Sequence, residues 1–201
     1  MTDFDYNWIK KFFKEEPDVI LDVGAYDCQD TIKFRQYCPN ASRIIGIEAS
    51  PRNFKIAKEV CDKFGVECYN YAVCDEIGVV KFYSNEKSMA SCSMMDVDFK
   101  KADLAGPFSK PIYVPSITLS YFCEKYGIDH IDILHLDVEG AEDKVIAGLG
   151  NIRPKLIFAE KSNRHCTKGT KSIEEFNKTM EDLGYELKLE LEFDNLYLMR
   201  K

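Results

Sequence analysis

The chain has 201 residues, 45% hydrophobic and 30% charged, which suits one globular domain and excludes a disordered chain. Its net charge of −7, with no run of Lys and Arg, repels phosphate backbones and argues against a nucleic-acid partner, leaving room for a local basic pocket. No apolar run approaches the roughly 20 residues of a membrane helix. The opening MTDFDYNWIKKFFKEEPD lacks the basic start and apolar stretch of a signal peptide, so a cytoplasmic protein with no membrane association is expected. Eight cysteines (28, 38, 61, 68, 74, 92, 123 and 166) show no C-x-x-C pair and are expected to be reduced, buried small hydrophobes.

Short apolar runs alternating with helical stretches predict a doubly wound α/β sheet in one domain over residues 1–201. An N-terminal helix is expected within residues 1–17. Val19 to Val23 reads as a buried first strand ended by Gly24, then a helix from Asp30 to Tyr37 stopped by Pro39. RIIGIE (43–48) is a second strand, and Ser50-Pro51 opens a helix to Phe64, because proline suits a position whose N–H has no helical partner. Val66 to Tyr71 is a third strand. Residues 79–118 break the rhythm: VVKFY and PIYVPSIT predict an inserted β-hairpin, and the segment between them a substrate lid. The pattern resumes with a helix from Leu119 to Tyr126, a strand at 131–136, a helix from Ala141 to Ala147 and a strand at 155–160. The last helix runs from Ser172 to Leu183. YELKLEL and NLYLMR follow, joined too closely for anything but an antiparallel pair.

Ligands of open α/β sheets bind outside the carboxyl ends of the strands. VILDVGAYDCQDT (19–31) forms such a loop but carries only Gly24 where a dinucleotide fold wants G-x-G-x-x-G. A single glycine and the acid Asp22 suffice for a donor without phosphates, whose methionine portion passes the loop. Glu48, 24 residues beyond Gly24, is placed to accept hydrogen bonds from both ribose hydroxyls of an adenosine. IDILHLDVEGAEDKVIAGL (131–149) delivers Asp137 and Glu139 to a strand end, with His135 inside the strand; helix capping explains only part of this pattern. His135 alone reads as a satisfied core histidine. KLIFAEKSNRH (155–165) adds Glu160, Asn163 and His165. Asp137 and Glu160 on adjacent strands could act as base and orienting group or grip a divalent cation; the metal-free site is the preferred reading.

LDVGAYDCQD, IIGIEASPRNF, Tyr71-Ala72-Val73-Cys74-Asp75 before GVVKFY, and above all IDILHLDVEGAEDKVIAG resemble the FkbM family of methyltransferases, over roughly Val19 to Arg200. The resemblance implies a Rossmann-like seven-stranded sheet with the last strand antiparallel. It implies methyl transfer from S-adenosylmethionine, releasing S-adenosylhomocysteine, to oxygen on sugars or other small metabolites. In the expected lid, Ser91 and Ser93 could hydrogen-bond a sugar, and Lys87, Lys100 and Lys101 could meet the phosphate of a sugar phosphate. By position, Asp22, Gly24, Ala25, Tyr26, Asp27 and Thr31 would line the methionine side of the donor. Glu48 and Ala49 would meet the ribose, Asn70 and Ala72 the adenine, and Asp137 and Glu139 would border the methyl. Two departures stand out: the family usually has asparagine where Tyr26 stands and glycine where Cys28 stands. It also commonly has lysine where His135 stands.

For a hydroxyl acceptor, Asp137 or Glu139 is the expected base, with Glu160 or His165 as second choice. With an amine acceptor the same carboxylates would bind the cation, making the reaction N-methylation. A binding or scaffold protein on a methyltransferase fold is the rival from another class, and a nicotinamide-dependent dehydrogenase would need more glycine in the first loop.

Overall fold

The computed structural model describes residues 6–84, 92–95, 110–160, 169–191 and 194–200. Lys87, Ser91, Lys100, Lys101, Asn163, His165 and Cys166 lie outside them, as does most of the expected lid. The chain runs α1 (Trp8–Phe12), β1 (Val19–Val23), α2 (Gln29–Tyr37), β2 (Arg43–Ile47), α3 (Pro51–Phe64), β3 (Glu67–Tyr69) and β4 (Ala72–Val73). It continues through β5 (Gly78–Phe82), β6 (Ile112–Ile117), α4 (Leu119–Tyr126), β7 (Ile133–Leu136), α5 (Glu142–Ala147) and β8 (Leu156–Glu160). It ends with α6 (Ile173–Asp182), β9 (Tyr185–Glu190) and β10 (Asp194–Met199).

Seven strands form one sheet in the order β3-β2-β1-β7-β8-β10-β9. The first five are mutually parallel, and β10 runs antiparallel to both its neighbours. Apolar residues on both faces of each central strand explain the unbroken runs such as VILDV. Leu21, Leu134 and Ile157 pack on one side with Phe122, Val145 and Phe176 of α4, α5 and α6. Ile20, Ile133 and Phe158 pack on the other with Trp8, Phe34 and Ala57 of α1, α2 and α3. The chain winds outward from β1 to β3 and returns at β7 on the other side of β1, so strand order reverses between β1 and β7.

Two expectations gain detail. The helix near the N-terminus spans five residues, because Phe13 is already extended and Pro17 favours extended backbone before it. The inserted hairpin is one part of a three-stranded sheet in the order β4-β6-β5, with β4 parallel to β6. The third strand therefore ends early. At Asn70 the side-chain amide, donating to the carbonyls of Glu48 and Ala49 at 2.7 and 3.1 Å, takes over from strand pairing while the chain leaves the main sheet.

One charged pair lies inside the core. Asp22 of β1 and His135 of β7 sit opposite one another in the parallel register, with His135 Nδ1 2.8 Å from Asp22 Oδ1. Thr31 of α2 donates to the other carboxylate oxygen. The imidazole is stacked on Phe158 at 5.1 Å and meets Phe34 edge-on. Burial alone would lower the His135 pKa, but the bond to Asp22 overrides it and raises it to about 9. At neutral pH this position therefore keeps a positive charge.

A histidine raised from its usual 6.5 contributes stability that is complete below the usual value and lost as pH rises through 9. The difference in unfolding free energy between the wild type and His135→Gln should therefore shrink by about 3 kcal/mol from about pH 6 to pH 10. Urea unfolding of both proteins across that range checks this, and a pH-independent difference would contradict it.

Candidate functional site

At the point of strand reversal, β1 ends in a loop held against the ends of β2 and β7. Gly24 has φ +92°, and its N–H and that of Ala25 donate to the Ile47 carbonyl at 2.9 and 3.2 Å. A Cβ on Gly24 would lie 1.7 Å from the Asp137 carbonyl oxygen, so only glycine lets the two strand ends converge. Tyr26 (φ +48°) and Cys28 (φ +62°) are also left-handed. The asparagine and glycine expected from the resemblance would tolerate that backbone better than tyrosine or cysteine. The loop forms here despite the two departures.

Glu48 closes one side. Its Oε2 accepts from the Tyr26 N–H at 2.8 Å and its Oε1 from the Ser50 N–H at 2.7 Å. One donor per oxygen leaves a lone pair on each for a ligand. Burial pushes the carboxyl up to about 7 despite those two bonds. Asn70 fixes the same corner through the carbonyls of Glu48 and Ala49.

The opposite side is acidic. Glu142, fully buried, accepts from the N–H groups of Val138 and Gly140 at 3.3 and 3.2 Å and braces the turn after β7. Glu139 in that turn is left-handed, at φ +53°. Carboxylate oxygens of Asp137, Glu139 and Glu160 lie within 4.8 Å of one another. Burial and the Glu139 charge push Asp137 up to about 7. Burial and the Asp137 charge raise Glu160 further. The same three carboxylates are the oxygen set a divalent cation would use.

Between the two sides lies a cleft of about 430 Å³, its open mouth included. Of the residues expected from sequence, Gly24, Tyr26, Glu48, Ala49, Ala72 and Asp137 line it. Glu139 and Glu160 stand beside Asp137. Asp22 and Thr31 do not face the cleft; they are buried beneath it, bonded to each other. Ala25 packs into the core, Asp27 accepts from Gln29 in the loop, and Asn70 acts through backbone carbonyls. Asn53, Tyr71, Phe82, Cys92, Met94 and Val138 also line the cleft and were missed. Tyr71 and Val138 are chain neighbours of expected residues and could have been found so. Phe82, Cys92 and Met94 come from the small sheet and its bridge between Tyr83 and Ser93, a placement that only tertiary structure supplies.

The methyltransferase FkbM domain profile matches residues 22–187, and the chain belongs to this family. It is 29% identical over 174 residues to the 2-O-methyltransferase NoeI of Sinorhizobium fredii (strain NBRC 101917 / NGR234), an alignment covering 77% of this chain and 68% of that protein. Among solved structures it resembles the methyltransferase FkbM of Methylobacillus flagellatus KT (TM-score 0.60, 11% identity) over 90% of this chain and 43% of that one. It also resembles a SAM-dependent methyltransferase of Aquifex aeolicus (TM-score 0.52, 11% identity) over 96% of this chain and 88% of that one. At these identities the structural likenesses establish the fold. Among the described residues no helix is long and apolar enough to cross a membrane.

Gly24→Ala should destabilise the protein by about 3 kcal/mol or more, because the obstacle is backbone and cannot rotate away. Gly65→Ala, whose left-handed glycine has open space around it, is the control and should cost about 1 kcal/mol. Chemical unfolding measures both, and equal costs would refute the close-approach argument.

Proposed function

We propose that this FkbM-family methyltransferase transfers a methyl group from S-adenosylmethionine to a hydroxyl of a small metabolite such as a sugar or sugar phosphate. The observation that carries the reading is Glu48. It is a buried carboxylate at the end of β2, with one backbone donor on each oxygen and a free lone pair on each for a vicinal diol. The apolar walls of Ala72, Phe82 and Met94 suit an uncharged ring, and no glycine-rich turn is offered to a pyrophosphate. Oxygen rather than nitrogen as acceptor is supported by the 2-O-methyltransferase relative and by the base present at the cleft floor.

The donor, when bound, supplies a methyl already activated by a positive sulfur. The chain's task is to align an acceptor oxygen behind that methyl and to remove its proton; alignment in ideal cases contributes about 7–11 kcal/mol. Asp137, pushed up to about 7, is matched to proton removal near neutrality, a step worth about 10²–10⁴-fold. Glu139 raises its basicity from beside it, and Glu160, itself raised by burial and the Asp137 charge, flanks it. This reading is of a metal-free site. Asp22, Thr31 and His135 support the loop from below and act by positioning.

Calorimetric titration with S-adenosylhomocysteine tests the donor site. Micromolar affinity is expected, weakened tenfold or more by Glu48→Gln (about 1.4 kcal/mol), with NAD not binding. Absence of binding to folded protein would favour a non-catalytic scaffold. Affinity should rise as pH increases through about 7, because the ionised Glu48 is the stronger acceptor.

With an acceptor in hand, kcat at saturating donor should rise with pH to a plateau above about 7, as Asp137 loses its proton. Asp137→Asn should lower kcat by about a hundredfold or more and flatten that rise. A full rate in this variant would move the base to another residue.

A further inference from the structure

We propose that Cys28, Cys61 and Cys68 form a three-thiolate site for a divalent d10 cation of the zinc and cadmium class, fastening the cleft loop to α3 and β3. The proposal does not depend on methyl transfer. The three residues come from separate elements: the N-cap of α2, the last turn of α3 and the middle of β3. Their sulfurs lie within 4.8 Å of one another, with Cys61 Sγ 2.9 Å from Cys28 Sγ. Metal–sulfur bonds of about 2.3 Å require sulfurs roughly 4 Å apart, so a modest adjustment of side chains completes the triangle. Among the described residues no other cysteine joins this cluster; Cys38, Cys74 and Cys123 are buried elsewhere.

Two independent features point to a use for the sulfur of Cys28. The residue holds φ +62°, which costs a side chain roughly 1–2 kcal/mol and glycine almost nothing. It gains no helix-capping bond in return. A non-glycine outlier of this kind, next to a ligand cleft, marks a functional constraint more often than chance. The second feature is Gly46 on β2. A Cβ there would lie 3.1 Å from Cys28 Sγ and 3.3 Å from Thr31 Oγ1, so the absence of a side chain at 46 makes room for the sulfur.

The electrostatics are tolerable. Three thiolates around a divalent ion leave one negative charge, with Cys28 at the positive end of α2. Lys58, the nearby cation, is paired with Asp62, and Asp22 and Asp62 oppose a Cys61 thiolate until a cation offsets them. Thiolates select a soft cation over magnesium or calcium. Cys28 and Cys61 are fully buried and Cys68 is 8% exposed, so an ion would enter past Cys68. Tyr26, two residues before Cys28, donates to Glu48, so a cation here would stiffen the loop that holds the ribose carboxylate.

The test is titration of reduced, chelator-stripped protein with Cd²⁺, followed by ultraviolet thiolate-to-metal charge transfer, and with Zn²⁺, followed by thermal unfolding. One Cd²⁺ per chain and a higher unfolding temperature in Zn²⁺ are expected. Cys28→Gly is the decisive variant, because it relieves the left-handed strain and should fold at least as well as the wild type without metal while losing the charge-transfer band. Cys61→Ser should lose the band, and Cys38→Ser should keep it. No stoichiometric uptake by the wild type, or equal uptake by Cys28→Gly, would overturn the proposal. So would a Cys28–Cys61 disulfide in protein isolated under reducing conditions, seen as a mass lower by two hydrogens.

Discussion

The convergence of β1 and β7 governs the rest of the molecule. β1 is paired on both edges and buried on both faces, so everything beyond its carboxyl end must fit between the ends of β2 and β7. The contact between Gly24 and the Asp137 carbonyl sets how closely those ends approach. It places the Glu48 corner and the Asp137 corner on opposite sides of one loop, and the cleft is the space left between them. A wider junction would admit water and lower the field that raises both carboxyl groups.

The charges at this junction fall into two layers. In the lower layer Asp22 bonds both His135 and Thr31 and ties β1, β7 and α2 together. In the upper layer Glu48, Asp137 and Glu160 are only partly satisfied and are pushed toward neutrality. A paired buried charge is a fixture; a buried carboxyl with spare lone pairs is available for chemistry. Sequence position cannot distinguish the layers, because Asp22 and Asp137 both stand at or near strand ends and differ only in which way their side chains face.

That explains what could be read from the residues alone. Continuous apolar runs and the turn residues Gly24, Pro39 and Ser50-Pro51 were enough to place the strands of the main sheet along the chain and to pair the last two antiparallel; their order in the sheet came only with the structure. The DVEGAE run and Glu48 located the cleft. Asp22 and Thr31 were expected in it because a loop motif names neighbours along the chain, whereas the period of a strand sends alternate side chains to opposite faces. The cysteine cluster was invisible for the converse reason: residues 28, 61 and 68 have no motif spacing, and only the packing of α2 and α3 on one face of the sheet brings them together. Ala72–Val73 was too short a run to read as a strand of its own.

The Asp22–His135 pair also carries a kinetic meaning, because its partners are 113 residues apart. β1, β2 and β3 are near neighbours in sequence and can assemble early, whereas pairing β1 with β7 closes a long loop that contains the whole small sheet. The cleft is divided between those two halves. During synthesis, the chain therefore has no complete ligand site until the second half has been made and has docked, and ligand binding by a nascent chain would report that folding has finished.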